Sequence, residues 1–60
     1  MQVPAAQSRR TWTVLSGVAR IHEAHGVSAL AEGEAHAQPA GTAARLTNSG
    51  DRELVMIEAL

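Results

Sequence analysis

Apolar and polar residues alternate along most of the chain in short segments, which is the pattern of half-buried β-strands. In residues 18–23, Ala19 and Ile21 fall on one face and polar side chains fall on the other. Comparable strand-like segments are residues 9–15, 43–47 and 52–58. The first of these is rich in Thr and Val, which pack well on a pleated surface. The pattern therefore predicts short strands with one buried face.

The glycines support the same interpretation, because they recur every 7 to 9 residues. They are Gly17, Gly26, Gly33, Gly41 and Gly50. This is the spacing of tight turns between short strands. We therefore expect a chain of consecutive strands joined by turns.

Residues 27–38 are ambiguous, because they are rich in Ala and Glu and intrinsic propensity alone favours a helix. Gly33 in the middle costs a helix about 1 kcal/mol. The segment also lacks an apolar stripe, since Leu30 is its only large aliphatic residue after Val27. Both alternatives stay open here, with two strands favoured. With two strands, the chain is all-β, with about six short antiparallel strands in a small barrel or sandwich.

Composition limits the size of the core. The chain has 60 residues, of which 12 are Ala and none is Cys. One domain of this size buries only about 60% of its unfolded surface, and no disulfide can stabilise it. Oligomerisation is the most accessible remaining source of stability. We therefore expect a two-fold homodimer that buries the most apolar segment, Leu54 to Leu60.

Charge and hydropathy exclude two classes of partner. The formal net charge is −1, from five Arg against six Asp and Glu, so the basic surface that nucleic acid requires is absent. The longest run of large apolar side chains covers only residues 54–57, too short to span a bilayer. Residues 1–6 lack the charged start and apolar stretch of a secretory signal. We expect a cytoplasmic protein with no nucleic-acid or membrane partner.

Two motifs resemble those of the cupin superfamily. Residues 10–21, with Trp12 and Gly17, resemble the first cupin motif from its glutamate onward. The second motif is matched at the positions Gly33, Pro39, Gly41, Ala44 and Asn48. The resemblance is greatest to the C-terminal cupin of type II phosphomannose isomerases and mannose-1-phosphate guanylyltransferases. It implies a small cupin-like (jelly-roll) antiparallel β-barrel over residues 9–60, with residues 1–8 as an N-terminal arm or edge strand.

The residues that hold a divalent metal in that family are missing. The resemblance places the family's paired His at Ala5 and Gln7, its Glu at Arg10 and its last His at Ala44. Two methyl groups supply no lone pair, and Arg10 repels a cation. We therefore expect no cofactor, although a divalent metal is the cofactor that the family uses. The remaining weak alternative ligands are His22, His25 and His36.

Four residues are candidates for a pocket, namely Arg10, Trp12, His36 and Gln38. In the resembling family the strand before the proline points alternate side chains into the barrel, and His36 and Gln38 take those positions. They and Arg10 would suit a small anionic or hydroxylated ligand. The alternative is that these side chains bind each other or face a wet barrel mouth. Trp12 is either a wall for a sugar or the core anchor.

Three functional classes stay open, namely a binding module, a scaffold and an enzyme. The favoured one is a minimal cupin-type protein that binds a small, sugar-like molecule or acts as a scaffold, without the usual metal site. The alternative is a sugar-phosphate isomerase of the mannose-6-phosphate type, or a remnant of one. The carboxylates lie mostly at predicted turns and outer faces, where we expect them to be solvated rather than catalytic.

Overall fold

The computed structural model describes residues 1–60 and contains seven β-strands and no helix. The strands are β1 (Gln2–Val3), β2 (Arg10–Ser16), β3 (Ala19–Glu23), β4 (Gly26–Leu30), β5 (Ala35–Gln38), β6 (Ala44–Asn48) and β7 (Val55–Ala59). The six strands predicted within residues 9–60 are present, and β1 lies in residues 1–8, for which the sequence analysis gave an arm or an edge strand. The all-β prediction is confirmed, and the helical alternative for residues 27–38 is wrong. The chain has no helix long and apolar enough to cross a membrane.

The strands form two antiparallel sheets. Sheet A has the order β1-β6-β3-β4, and sheet B has the order β5-β2-β7. The sheets face each other through their buried sides, as in a small sandwich, and they do not close into a barrel. Each sheet therefore keeps two edge strands. In sheet B these are β5 and β7.

The core lies between the sheets and follows the alternation in the sequence. It consists of Val3, Trp12, Val14, Ala19, Ile21, Leu30, Ala44 and Leu46. Ala19 and Ile21 are fully buried, as their shared face predicted. Trp12 is 7% exposed, so its indole packs in this core. Half-buried Leu54 and Met56 pack against the same cluster.

Gly17 sits where the chain turns from β2 into β3 and has a φ of +87°. A Cβ built on it would lie 2.8 Å from the carbonyl oxygen of Glu53. The turn therefore needs glycine for two reasons, the left-handed backbone and the close approach of the segment before β7. Gly33 has a similar φ of +83° but open space around it.

Candidate functional site

A buried polar network joins β2 to β5 at one end of the sandwich. Arg10 and Gln38 lie opposite each other in the ladder, with residue exposures of 6% and 0%. The Oε1 atom of Gln38 accepts one bond from Arg10 Nε at 2.6 Å and another from Trp12 Nε1 at 3.2 Å. Its Nε2 donates to the carbonyl oxygen of Thr42 at 3.1 Å. The Gln38 amide thus connects the cation, the indole and the loop before β6.

The remaining guanidinium nitrogens of Arg10 also have partners. Nη2 donates to the carbonyl oxygens of Pro4 at 2.6 Å and Thr42 at 3.4 Å. Nη1 lies 3.5 Å from a carboxylate oxygen of Glu58. The guanidinium carbon is 5.6 Å from the centre of the Trp12 ring, within cation–π range. Arg10 is therefore a buried cation whose charge is balanced locally.

The structure brings three of the four pocket candidates together, but as bonded partners. Arg10, Trp12 and Gln38 bond to one another, and neither Arg10 nor Gln38 lines a cleft. His36 lies two residues before Gln38 on the same face of β5, and its ring bonds to Glu23 instead. The geometry matches the alternative in which the polar side chains satisfy each other.

The positions that the cupin resemblance assigns to metal ligands do not fit a divalent cation. Ala5 and Gln7 are exposed, and Ala44 is buried with only a methyl group to offer. Arg10 places a positive charge in the same region, which repels a metal ion. The structure has no group of three or more His, Asp or Glu side chains that could hold a metal ion.

Glu23 is a buried carboxylate at the end of β3. Its side chain is 1% exposed, and its Oε1 lies 2.8 Å from His36 Nε2 and 3.7 Å from His25 Nε2. Its Oε2 has no hydrogen-bond partner. A buried polar atom left unpaired costs about 1–3 kcal/mol. The expectation that the carboxylates are solvated is therefore wrong for Glu23. The alternation that buries Ala19 and Ile21 places Glu23 on their face, so the signal was present in the sequence.

His22 is separated from the other two histidines by the sheet itself. It lies on the outer face of sheet A, where its Nε2 is 3.0 Å from Thr47 Oγ1. Partial burial, with the positive charges of Arg45, Arg20 and the N-terminus, lowers the pKa of His22 from its usual 6.5. The three histidines proposed as alternative ligands thus divide into His25 and His36 beside Glu23, and His22 alone.

An apolar cleft of about 360 Å³ opens between the inner faces of the sheets where β6 faces β7. Its lining residues are Met1, Trp12, Leu46, Asn48, Leu54 and Met56. The indole of Trp12 reaches it from β2. Trp12 is the only one of the six residues that the sequence predicted as part of a pocket. A second, more polar cleft of about 270 Å³ lies beside His22, Ala44 and Arg45.

Comparisons with protein-family models, with curated proteins and with solved structures find no match for this chain.

Proposed function

We propose that this chain is a small-molecule-binding module whose ligand lies in the apolar cleft against Trp12. The observation that carries the proposal is the cleft itself, whose volume of about 360 Å³ falls in the range of about 300–1,000 Å³ typical of ligand pockets. The hydrogen bond from Trp12 Nε1 to Gln38 fixes the orientation of the indole. A fixed aromatic ring in the lining of a cleft is a preformed contact surface for a ligand.

The lining indicates a ligand with an apolar ring. Five of the six lining residues are hydrophobic. The one polar residue, Asn48, already donates to the Arg52 carbonyl at 2.9 Å and accepts from the Gly50 N–H at 3.0 Å. Few polar groups are left to recognise hydroxyls, so a sugar-like ligand would have to present its apolar face to Trp12. We therefore rank small apolar rings first and sugar-like molecules second.

We further propose that the two sheets are a shortened cupin-type sandwich in which Arg10 replaces the family's metal. The guanidinium contacts the carbonyls of Pro4 and Thr42, which lie next to Ala5 and two residues before Ala44. Segments that the resemblance assigns to the metal ligands thus approach one cation. This favours binding over the isomerase alternative, because the family's chemistry needs ligands that these positions lack.

Trp12 provides the test, because it is the only aromatic residue of the chain. We would follow its fluorescence while titrating cyclohexanol, methyl mannoside and mannose 6-phosphate. The wild type is expected to show a saturable change, strongest for cyclohexanol. Leu54→Gln, inside the cleft, should weaken it, whereas Leu15→Gln, 53% exposed on the outer side of sheet B, should not.

Two results would contradict the binding proposal. One is the absence of a saturable change with every ligand at tens of millimolar. The other is equal weakening by Leu54→Gln and Leu15→Gln, since only Leu54 lines the cleft. Saturation by mannose 6-phosphate alone would instead favour the sugar-phosphate alternative.

A second candidate function is that of a homodimeric scaffold, and the outer face of sheet B favours it. That face carries no charged side chain. It consists of Thr11, Thr13, Leu15, Ala35, Ala37, Val55, Ile57 and Ala59. Leu15, Val55 and Ile57 are 53%, 40% and 52% exposed. We infer an interaction surface from these three exposed aliphatic side chains, which share one uncharged face.

We place a second copy of the chain at the β7 edge of this face. Three strands about 4.8 Å apart and about 17 Å long present a projected area of about 250 Å². A standard interface buries about 800 Å² per partner, so face-to-face packing alone is too small. Antiparallel pairing of two β7 strands across a two-fold axis adds backbone hydrogen bonds and joins the two uncharged faces.

Light scattering over a hundredfold range of protein concentration tests the dimer. We expect the dimer fraction and the melting temperature to rise with concentration. A monomer at high micromolar concentration, with a melting temperature unaffected by dilution, would exclude it.

A further inference from the structure

The outer face of sheet A carries positive charge and no negative charge. Its side chains are those that alternate with the core, namely Gln2, Arg20, His22, Val27, Ala29, Arg45 and Thr47. Arg20 and Arg45 are exposed, and none of the four ion pairs of the structure involves them. The only acid in the strands of sheet A is Glu23, whose carboxylate is 1% exposed and bonded to His36. The formal net charge of −1 therefore coexists with a local cationic surface.

The strand register places four hydrogen-bonding side chains next to one another on this face. Arg45 of β6 is opposite His22 of β3, and Thr47 is opposite Arg20. Opposed Cβ atoms of an antiparallel pair are about 4.5–5.5 Å apart, and alternate residues along one strand are about 6.7 Å apart. The four residues thus occupy the corners of a rectangle of roughly 5 by 7 Å. We call them the cationic block.

Two observations show that members of the block influence one another. His22 Nε2 is 3.0 Å from Thr47 Oγ1, which joins two diagonal corners. Partial burial, with the positive charges of Arg45, Arg20 and the N-terminus, lowers the pKa of His22. The neighbour of His22 on β4 is Val27, which carries no charge. The block thus combines two permanent cations, one hydroxyl and one titratable ring, and no carboxylate neutralises it.

A cleft of about 270 Å³ opens at the edge of the block, and Gln2, His22 and Arg45 are in its lining. Glu23 borders it as well, but its carboxylate is buried and bonded to His36. The remaining lining consists of Ala24, Ala43 and Ala44. The cleft gives the organic part of a small anionic ligand a place beside the charged side chains.

We propose that the cationic block binds the phosphate group of a small molecule. Guanidinium groups present forked donors that match phosphate oxygens, and the Thr47 hydroxyl and a protonated His22 ring add further donors. The face has no aromatic side chain on which nucleobases could stack, because Trp12 is buried in the core. These features favour a small phosphate monoester over a nucleic acid. The site shares no residue with the apolar cleft.

The imidazole C2 proton of His22 provides the test, and its NMR signal is identified by its absence in His22→Gln. We would titrate the full chain with phenyl phosphate at pH 7.5 and low salt, where the phosphate is mostly a dianion. The His22 signal of the wild type is expected to shift saturably, with an affinity that falls as salt is added.

Three arginine variants locate the binding. Arg45→Gln and Arg20→Gln should each weaken the affinity by about fivefold or more, because each removes charge-assisted hydrogen bonds. Arg9→Gln is the matched control, since Arg9 is exposed and lies outside the strands of sheet A. It removes the same charge and should change the affinity by less than about twofold. Circular dichroism checks that each variant stays folded.

Inorganic sulfate tests the contribution of His22, because its charge stays constant where a phosphate monoester gains a proton, near pH 6. A bound anion favours the protonated imidazole, so binding raises the pKa of His22. The affinity for sulfate should therefore increase as the pH falls from about 7.5 to about 5.5. The increase should be clearly smaller in His22→Gln.

Four outcomes would overturn the site as described. The first is no saturable shift with phenyl phosphate at tens of millimolar. The second is equal weakening by Arg45→Gln and Arg9→Gln, which would mean general charge attraction. The third is much tighter binding of a single-stranded oligonucleotide than of phenyl phosphate, which would make nucleic acid the ligand. The fourth is the same pH dependence of sulfate binding in the wild type and in His22→Gln. None of these outcomes depends on a ligand in the apolar cleft, so the two proposals fail separately.

Discussion

Replacing Gln38 by Leu removes the centre of the buried polar network but keeps a side chain of nearly the same size at that position. The substitution deletes the bonds to Arg10 Nε, Trp12 Nε1 and the Thr42 carbonyl. A hydrogen bond to a charged group contributes about 1.5–3 kcal/mol and a neutral one about 1 kcal/mol. We therefore expect Gln38→Leu to lower the free energy of unfolding by about 3.5–5 kcal/mol. A domain of this length has about 3–9 kcal/mol in total, so the variant is marginal or unfolded.

Two further variants test the reasoning behind that magnitude. Glu58→Gln weakens only the 3.5 Å contact to Arg10 at a side chain that is 36% exposed, so it should cost less than about 1 kcal/mol. The double variant Arg10→Met with Gln38→Leu removes the charge together with its partner. Replacing both members of a buried polar pair by apolar groups is often close to neutral. The double variant should therefore be more stable than Gln38→Leu alone.

Urea denaturation at one fixed protein concentration measures these differences, with Trp12 fluorescence and far-ultraviolet circular dichroism as two probes. A loss of less than about 1 kcal/mol in Gln38→Leu would mean that the three Gln38 hydrogen bonds contribute little to stability. If adding Arg10→Met to Gln38→Leu lowers stability further, the loss comes from packing and not from an unpaired buried cation.

Three other predictions follow from the turns, the outer faces and the histidines. Gly33→Ala should lower the free energy of unfolding by roughly 1–2 kcal/mol, the effect of a positive φ alone. Gly17→Ala should lower it by clearly more in the same urea denaturation; equal losses would contradict the close contact at Gly17. Ile57→Lys should shift the protein to monomer in light scattering, whereas Val27→Lys, 60% exposed on sheet A, should not; a dimer that survives Ile57→Lys would contradict the β7 interface. Because the pKa of His22 is lowered in the folded chain, the unfolded chain binds more protons. The free energy of unfolding should therefore fall as the pH drops through 6.5, and it should fall less in His22→Gln. Identical pH profiles of the two proteins would contradict this role of His22.

The strand positions could be predicted from the sequence because two local signals agree. Alternation assigned Ala19 and Ile21 to the core, and the glycine spacing placed the turns. Helix propensity was the competing signal in residues 27–38. The strand conformation prevailed in these segments, and it buries the inward side chains Leu30 of β4 and Gln38 of β5.

The hydrogen-bond partners of the polar residues could not be predicted, because they depend on which strands become neighbours. His36 and Gln38 were correctly placed on one face of their strand. Only the pairing of β2 with β5 shows that Gln38 bonds Arg10, and only the packing of sheet A on sheet B places Glu23 beside His36. The apolar cleft was missed for the same reason, since its lining comes from four separated parts of the chain.

The order of the strands within the sheets has a consequence for how this chain acquires its structure. Only β3 and β4 are neighbours both in sequence and in a sheet. Every other ladder joins two strands that are separated in sequence by at least one other strand. The most central strand of sheet B, β2, pairs with β7, the last strand of the chain. Such non-local pairing makes folding slow, in the range of about milliseconds to seconds. We expect the β3–β4 hairpin to form early. Sheet B is completed last, because β7 is the last strand in the chain. A nascent chain still lacking residues 55–59 would leave one edge of β2 without backbone hydrogen bonds.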